Sequence, residues 1–193
     1  MKGYILLRKK AFKILRSELS DDLFYHEIQH TLDVLNVCNQ YIKREKIDKY
    51  NAKLLRIGAL LHDIGFTISN IDHEERGVEI AQKLMEEFGF SKNDFNKVKG
   101  LILATRIPQN PKNYLEKIIC DADLDYLGRS DFYKISNYLF KELKAYSIIK
   151  SQKDWDLAQI KFLETHKYHT NFAIRNRQPK KAKRIAELKN LIS

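Results

Sequence analysis

Cysteine is scarce: Cys38 and Cys120 are the two in 193 residues. That number excludes a disulfide framework. Both sit in apolar-periodic segments and read as buried thiols, so a reducing cytoplasm is the expected setting. Proline and glycine are also few, at three and seven. So little turn punctuation excludes a many-stranded sandwich and favours long helices. No apolar run is long enough to span a membrane. No secretory leader is visible either, because the short apolar patch Tyr4–Leu7 runs straight into basic residues. No membrane partner is expected.

What the chain does have is positive charge. The formal net charge is +10, and +7 of it falls between Lys167 and Ser193. The rest of the chain is nearly balanced. The basic tail reads either as a solvated helix face or as a surface for phosphate, nucleic acid or acidic lipid.

Helical periodicity runs nearly throughout. Helices are expected over Ile5–Leu19, Leu23–Glu45, Asp48–Asp63, His73–Phe88, Ser91–Thr105, Asn113–Leu127, Asp131–Tyr146, Asp154–His166 and Lys180–Ile192. Gly65, Gly89 and Gly128 close three of them, and Pro108 and Pro111 mark a loop. No strand pattern stands out. The fold class is all-α, a single-domain helical bundle with a C-terminal helical extension. The boundaries read as an N-terminal helix over 1–20, the main domain over 21–150, and an extension with the basic tail over 151–193.

Three pieces carry chemistry: Tyr25-His26-Glu27-Ile28-Gln29-His30, Leu61-His62-Asp63-Ile64-Gly65 and Cys120-Asp121-Ala122-Asp123-Leu124-Asp125. His26 and His30, four apart, are expected to share one helix face. His62-Asp63 ends the buried-looking run Ile57–Leu61. A carboxylate buried there costs several kcal/mol unless paired or bound to a cation. No Lys or Arg follows within a turn, so a metal ion would resolve the cost. Asp123 is the charged member of the mainly apolar stripe Leu115, Ile119, Ala122, Asp123, Tyr126. Asp121 and Asp125 lie off that stripe and read as supporting groups.

The His…His-Asp…Asp arrangement over about Leu23–Leu127 resembles the HD superfamily of metal-dependent phosphohydrolases. The resemblance implies His30, His62, Asp63 and Asp123 as metal ligands, and a divalent ion such as Mn, Mg, Fe or Co as cofactor. Tyr25-His26, His30-Thr31 and Asp33-Val34 further resemble the start of the catalytic domain of cyclic-nucleotide phosphodiesterases. That likeness implies His26 as the acid that protonates the leaving oxygen. Cys120–Arg129 with Trp155, Gln159, Phe162-Leu163, His166 and Tyr168 is similar to a group of uncharacterised bacterial HD proteins.

Departures from the family pattern narrow the reading. A second metal ion would want a histidine near Thr105. His73 is either a ligand to such an ion, a phosphate contact or a helix cap. The Glu-Asp pair that follows His-Asp in alarmone hydrolases is replaced by Ile64-Gly65-Phe66, and the Gly-Tyr-Pro signature of cyclic-di-GMP hydrolysis is missing. His166 and His169 read as structural. The expected activity is hydrolysis of a small phosphate ester, a nucleotide above all. Catalysis falls to His26 and Asp63, and phosphate binding to His73, Arg106 and Arg129. The alternatives are a di-iron oxygenase and a non-catalytic binder of nucleotide or nucleic acid through the basic tail.

Overall fold

The computed structural model describes residues 2–192, and every regular element among them is helical. The chain forms two compact units. One comprises Met1–Ser20 with His26–Asp123, the other Asp21–Tyr25 with Leu124–Ser193. The expected all-helical fold is met. The compact units divide at Asp123–Leu124.

The first unit holds α1 (Lys2–Glu18), α2 (Ile28–Arg44), α3 (Lys49–Leu61), α4 (His73–Glu87), α5 (Lys92–Ala104) and α6 (Tyr114–Asp123). α3 is buried along nearly its whole second half, from Leu54 to Leu61, Arg56 excepted. That explains its apolar composition: it is the central helix, packed by α1, α2, α5 and α6. Leu7, Leu15, Leu54, Ile57, Leu60, Leu61, Met85 and Ile102 form the core. Asp48 caps α3 through the backbone N–H groups of Tyr50 and Asn51. Ser91 and Asp94 form a reciprocal capping box on α5.

Two helix starts and ends differ from the periodic expectation. α2 begins at Ile28, with Glu27 extended before it, so His26 lies ahead of the helix and does not share its face with His30. α3 stops at Leu61, and after His62 and Asp63 the backbone tightens into a 3₁₀ turn over Ile64–Thr67. Gly65 makes that turn possible. A Cβ there would sit 1.8 Å from the His73 carbonyl oxygen and 2.7 Å from the Gly77 nitrogen. The absent side chain lets the turn press against the start of α4.

The second unit holds a 3₁₀ turn over Asp125–Gly128, then α7 (Phe132–Ala145), α8 (Gln152–Thr165), α9 (Asn171–Asn176) and α10 (Gln178–Ile192). The short α9 is not legible as a periodic segment. Its core is Leu124, Tyr126, Leu127, Phe132, Leu163, Tyr168 and Leu188. Asp125 is fully buried here and accepts from Arg177 at 2.7 and 3.1 Å. Gly128 allows Arg177 this close, since a Cβ would meet the Arg177 backbone at 2.6 Å. No helix among the described residues is long and apolar enough to cross a membrane.

Candidate metal centre

Three helix ends in the first unit aim at one point. His30 comes from the first turn of α2, His62 follows the last residue of α3, Asp63 follows it, and Asp123 is the last residue of α6. Helix ends can place polar side chains at the edge of an apolar core without burying polar backbone. Here they bring four donor groups together. The two imidazoles meet Nε2 to Nε2 at 3.2 Å. His30 Nε2 lies 3.1 Å from Asp123 Oδ1 and 3.3 Å from Asp63 Oδ2. His62 Nε2 lies 3.0 Å from Asp63 Oδ2 and 3.6 Å from Asp123 Oδ1.

The donor set fits a divalent cation on three grounds. First, donors held about 2.1 Å from an ion and at right angles to one another sit about 3.0 Å apart, which is the spacing seen. Second, Asp63 Oδ2 is buried and makes no hydrogen bond, although it lies beside two imidazole nitrogens. An ionised oxygen in that position wants a cation. Third, His62 Nδ1 lies 3.0 Å from the Ala59 carbonyl oxygen. As a donor to that oxygen, Nδ1 carries the proton and leaves Nε2 with a lone pair facing the cluster, the tautomer a metal ligand needs. His30, His62 and Asp123 bring three ligand atoms within 4.8 Å of one another, and Asp63 joins them through its contacts with the two imidazoles.

The electrostatics agree. Burial opposes charge on His30, but the carboxylates of Asp123 and Asp63 outweigh it and raise its pKa to about 9. Burial likewise opposes charge on His62, and Asp63 and Asp123 push it well above the ordinary histidine value. Burial pushes Asp63 up, yet His62 and His30 hold it well below the usual carboxylate range. Asp123 is lowered by the same two imidazoles against its own burial. The cluster is therefore built to hold positive charge.

Around this centre lies an aromatic wall. Phe66, on the 3₁₀ turn after Asp63, stacks against two imidazoles. His26 stacks on it at 4.1 Å and 19°, and His73 at 4.1 Å and 29°, the two imidazole centres being 6.3 Å apart. His26 stands 6.0 Å from His30, ring centre to ring centre. His73 Nε2 lies 3.7 Å from Asp63 Oδ1 and 3.4 Å from Glu74 Oε1. Asp63 thus turns one oxygen to the His30–His62 pair and the other to His73. Phe66 carried no sequence signal of its own; only its place one residue past Gly65 could have suggested it.

The remaining expected residues are placed as follows. The Thr105 hydroxyl donates to the Ile102 carbonyl and caps its helix, so no metal donor stands at that position. The Arg106 guanidinium is engaged by Glu74 and Glu75. Arg129 belongs to the second unit, where it pairs with Asp131 at 2.6 Å and approaches Asp125 at 3.7 Å. His166 accepts from the buried Lys181 in the second unit through its carbonyl oxygen.

The sequence model of the HD domain family matches residues 28–125. That span contains His30, His62, Asp63 and Asp123. A tRNA (cytidine(56)-2'-O)-methyltransferase from Picrophilus torridus is 40% identical over 81 residues, which cover 42% of this chain. The match spans about a fifth (22%) of that protein's length. No solved structure matches the chain.

Proposed function

The chain belongs to the HD domain family, whose members are generally metal-dependent hydrolases, and from that premise we propose that it hydrolyses a phosphate ester. The substrate class proposed is a nucleotide or a similar small phosphorylated molecule, with a cyclic-nucleotide phosphodiester included. One observation carries the reading: each of the two imidazoles lies 3.0–3.6 Å from both carboxylates, with Asp63 Oδ2 buried and without a hydrogen bond.

In this reading His30, His62, Asp63 and Asp123 hold one divalent ion, with Mn, Mg, Fe or Co suited to mixed imidazole and carboxylate donors. The ion supplies a Lewis acid that draws charge from phosphorus and makes water a nucleophile at neutral pH. Asp63 Oδ1, turned away from the histidine pair, orients the attacking water and takes up its proton. His73 beside it binds a phosphate oxygen. His26 protonates the leaving alkoxide. Phe66 stacks against both His26 and His73, helps set the planes of the two rings and keeps bulk water from that side. Arg106 and Arg129 are held by carboxylates, so the phosphate charge falls mainly to the metal ion and His73. The stretch shared with the tRNA methyltransferase is a minor part of that protein, and methyl transfer is not carried over.

The test is turnover of cyclic nucleotides, nucleoside mono- and triphosphates and an aryl phosphodiester, each with Mn, Mg, Fe or Co added. Hydrolysis of at least one ester is expected, with a loss of at least 10³-fold in His62→Ala and Asp63→Ala. Equal rates in wild type and both variants would sink the reading. His26→Ala should keep its metal and lose about 10²-fold in kcat.

A further inference from the structure

The basic tail is the larger reservoir of positive charge in the sequence, yet much of it is spent within its own unit. Arg177 is bound to Asp125, Arg184 and Lys183 to Glu187, and Lys189 to Glu164. Lys181 is buried. The first unit offers a different surface. Between α1 and α2 runs a groove of about 290 Å³ lined by Arg8, Lys9, Phe12, Arg16, Ile28 and Leu32. Arg8 and Arg16 stand over the Phe12 ring at 5.2 and 6.0 Å from its centre. Arg8, Lys9 and Arg16 are exposed. No carboxylate lines the groove, and among the described residues none lies within ion-pair distance of these three cations. Lys10 and Lys13 are exposed on the same helix.

We propose that this groove binds the phosphodiester backbone of a single-stranded nucleic acid. Arg8 and Arg16 are two helical turns apart, about 12 Å along the axis. Their guanidiniums both reach the Phe12 ring, and with Lys9, Lys10 and Lys13 they spread cations over that length of helix, which suits the repeated charge of a strand better than one phosphate. Guanidinium groups held over an aromatic ring keep N–H donors for phosphate. A cationic groove with an aromatic floor is the general form of single-strand binding sites. A lipid surface fits less well. An interfacial helix must lay its apolar stripe into the membrane, and the stripe of α1, Leu7, Ala11 and Leu15, is already buried in the core. The inference stands on α1 and α2 alone and does not depend on the hydrolase reading.

Fluorescence anisotropy of the full chain with a labelled 12-nucleotide single strand, RNA or DNA, tests it across a salt series. Glutamine keeps most of the stem packing of these side chains, so the variant is Arg8→Gln/Lys9→Gln/Arg16→Gln, its fold checked by circular dichroism. The expected result is at least a tenfold rise in Kd. The slope of log Kd against log salt should fall by about two, three cations contributing about 0.7 each. Lys180→Gln/Lys183→Gln on the tail should change neither. Hydrolysis of the aryl phosphodiester should also be unchanged in the triple variant, which separates this groove from the metal centre. The proposal is overturned if the wild type fails to bind the strand, or binds a duplex of equal length more tightly. Binding only to vesicles containing phosphatidylserine, or loss of strand binding in the tail variant alone, overturns it too.

Discussion

Asp123 and Asp125 are two residues apart in one acidic run, and both are largely removed from water, but their partners differ in kind. Asp123 closes α6 in the first unit and faces the imidazoles of His30 and His62. Asp125 opens a 3₁₀ turn in the second unit and is gripped by Arg177, with Arg129 at its edge. A guanidinium keeps its proton at any physiological pH and has no lone pair to give. The Asp125 cluster is therefore closed, and its product is structure. An imidazole can exchange its proton for a metal ion. The Asp123 cluster is therefore one that can take a cation, as the proposed function requires. The partner, more than the carboxylate, tells a ligand from a structural support.

Substitutions at these two positions should break the comparison most sharply. Asp123→Ala should lower divalent-metal affinity by at least 100-fold and abolish hydrolysis. Asp125→Ala should leave metal binding and hydrolysis in place. It leaves Arg177 beside an apolar core without its partner and should cost about 3 kcal/mol in urea unfolding, while metal stoichiometry stays the same. If Asp125→Ala loses metal at full stability, the division of roles is wrong.

Gly65→Ala comes next. The new methyl must displace the start of α4, because its nearest neighbour is backbone. Stability should fall by about 2 kcal/mol or more, and kcat should fall through misplacement of Phe66 and His73. Phe66→Ala should be milder. Metal content stays intact, kcat drops about tenfold, and Phe66→Tyr, which keeps the ring, restores most of it. Equal kcat in wild type and Phe66→Ala would remove Phe66 from the account.

The smallest effect is a pH dependence in the second unit. Burial lowers the Lys181 pKa from its ordinary value to about 8. The unfolded chain then binds a proton more readily than the folded one between about pH 8 and pH 10.5. In that window this group makes stability rise with pH, and below about pH 8 its burial penalty is fully present. Lys181→Met should flatten that part of the stability profile, read as the urea midpoint at pH 7, 9 and 10. An unchanged slope would show that Lys181 is solvated.

Much of the first unit was legible because its chemistry is local. Leu61-His62-Asp63 carries burial and charge side by side, and Asp123 interrupts an apolar stripe. The helix that bears His30 follows from its period. Its start does not: Tyr25-His26-Glu27 continues the apolar spacing, yet Glu27 is extended and the helix begins at Ile28. His26 reaches the centre by stacking on Phe66, 40 positions away in sequence, a contact that periodicity cannot register. The pairing of Asp125 with Arg177 spans 52 positions, so Asp125 looked like a helper of its neighbour Asp123. For the same reason the tail looked freely cationic, although its partners, Asp125 and Glu164, lie well upstream.

The central claim is that His30, His62, Asp63 and Asp123 hold one divalent ion. It is tested most directly by titrating Mn into the chelator-treated protein and counting bound metal per chain. The account predicts one firmly bound ion per chain, lost in both His62→Ala and Asp123→Ala and retained in Asp125→Ala. No bound ion in the wild type, or the same stoichiometry and affinity in all four proteins, would contradict it.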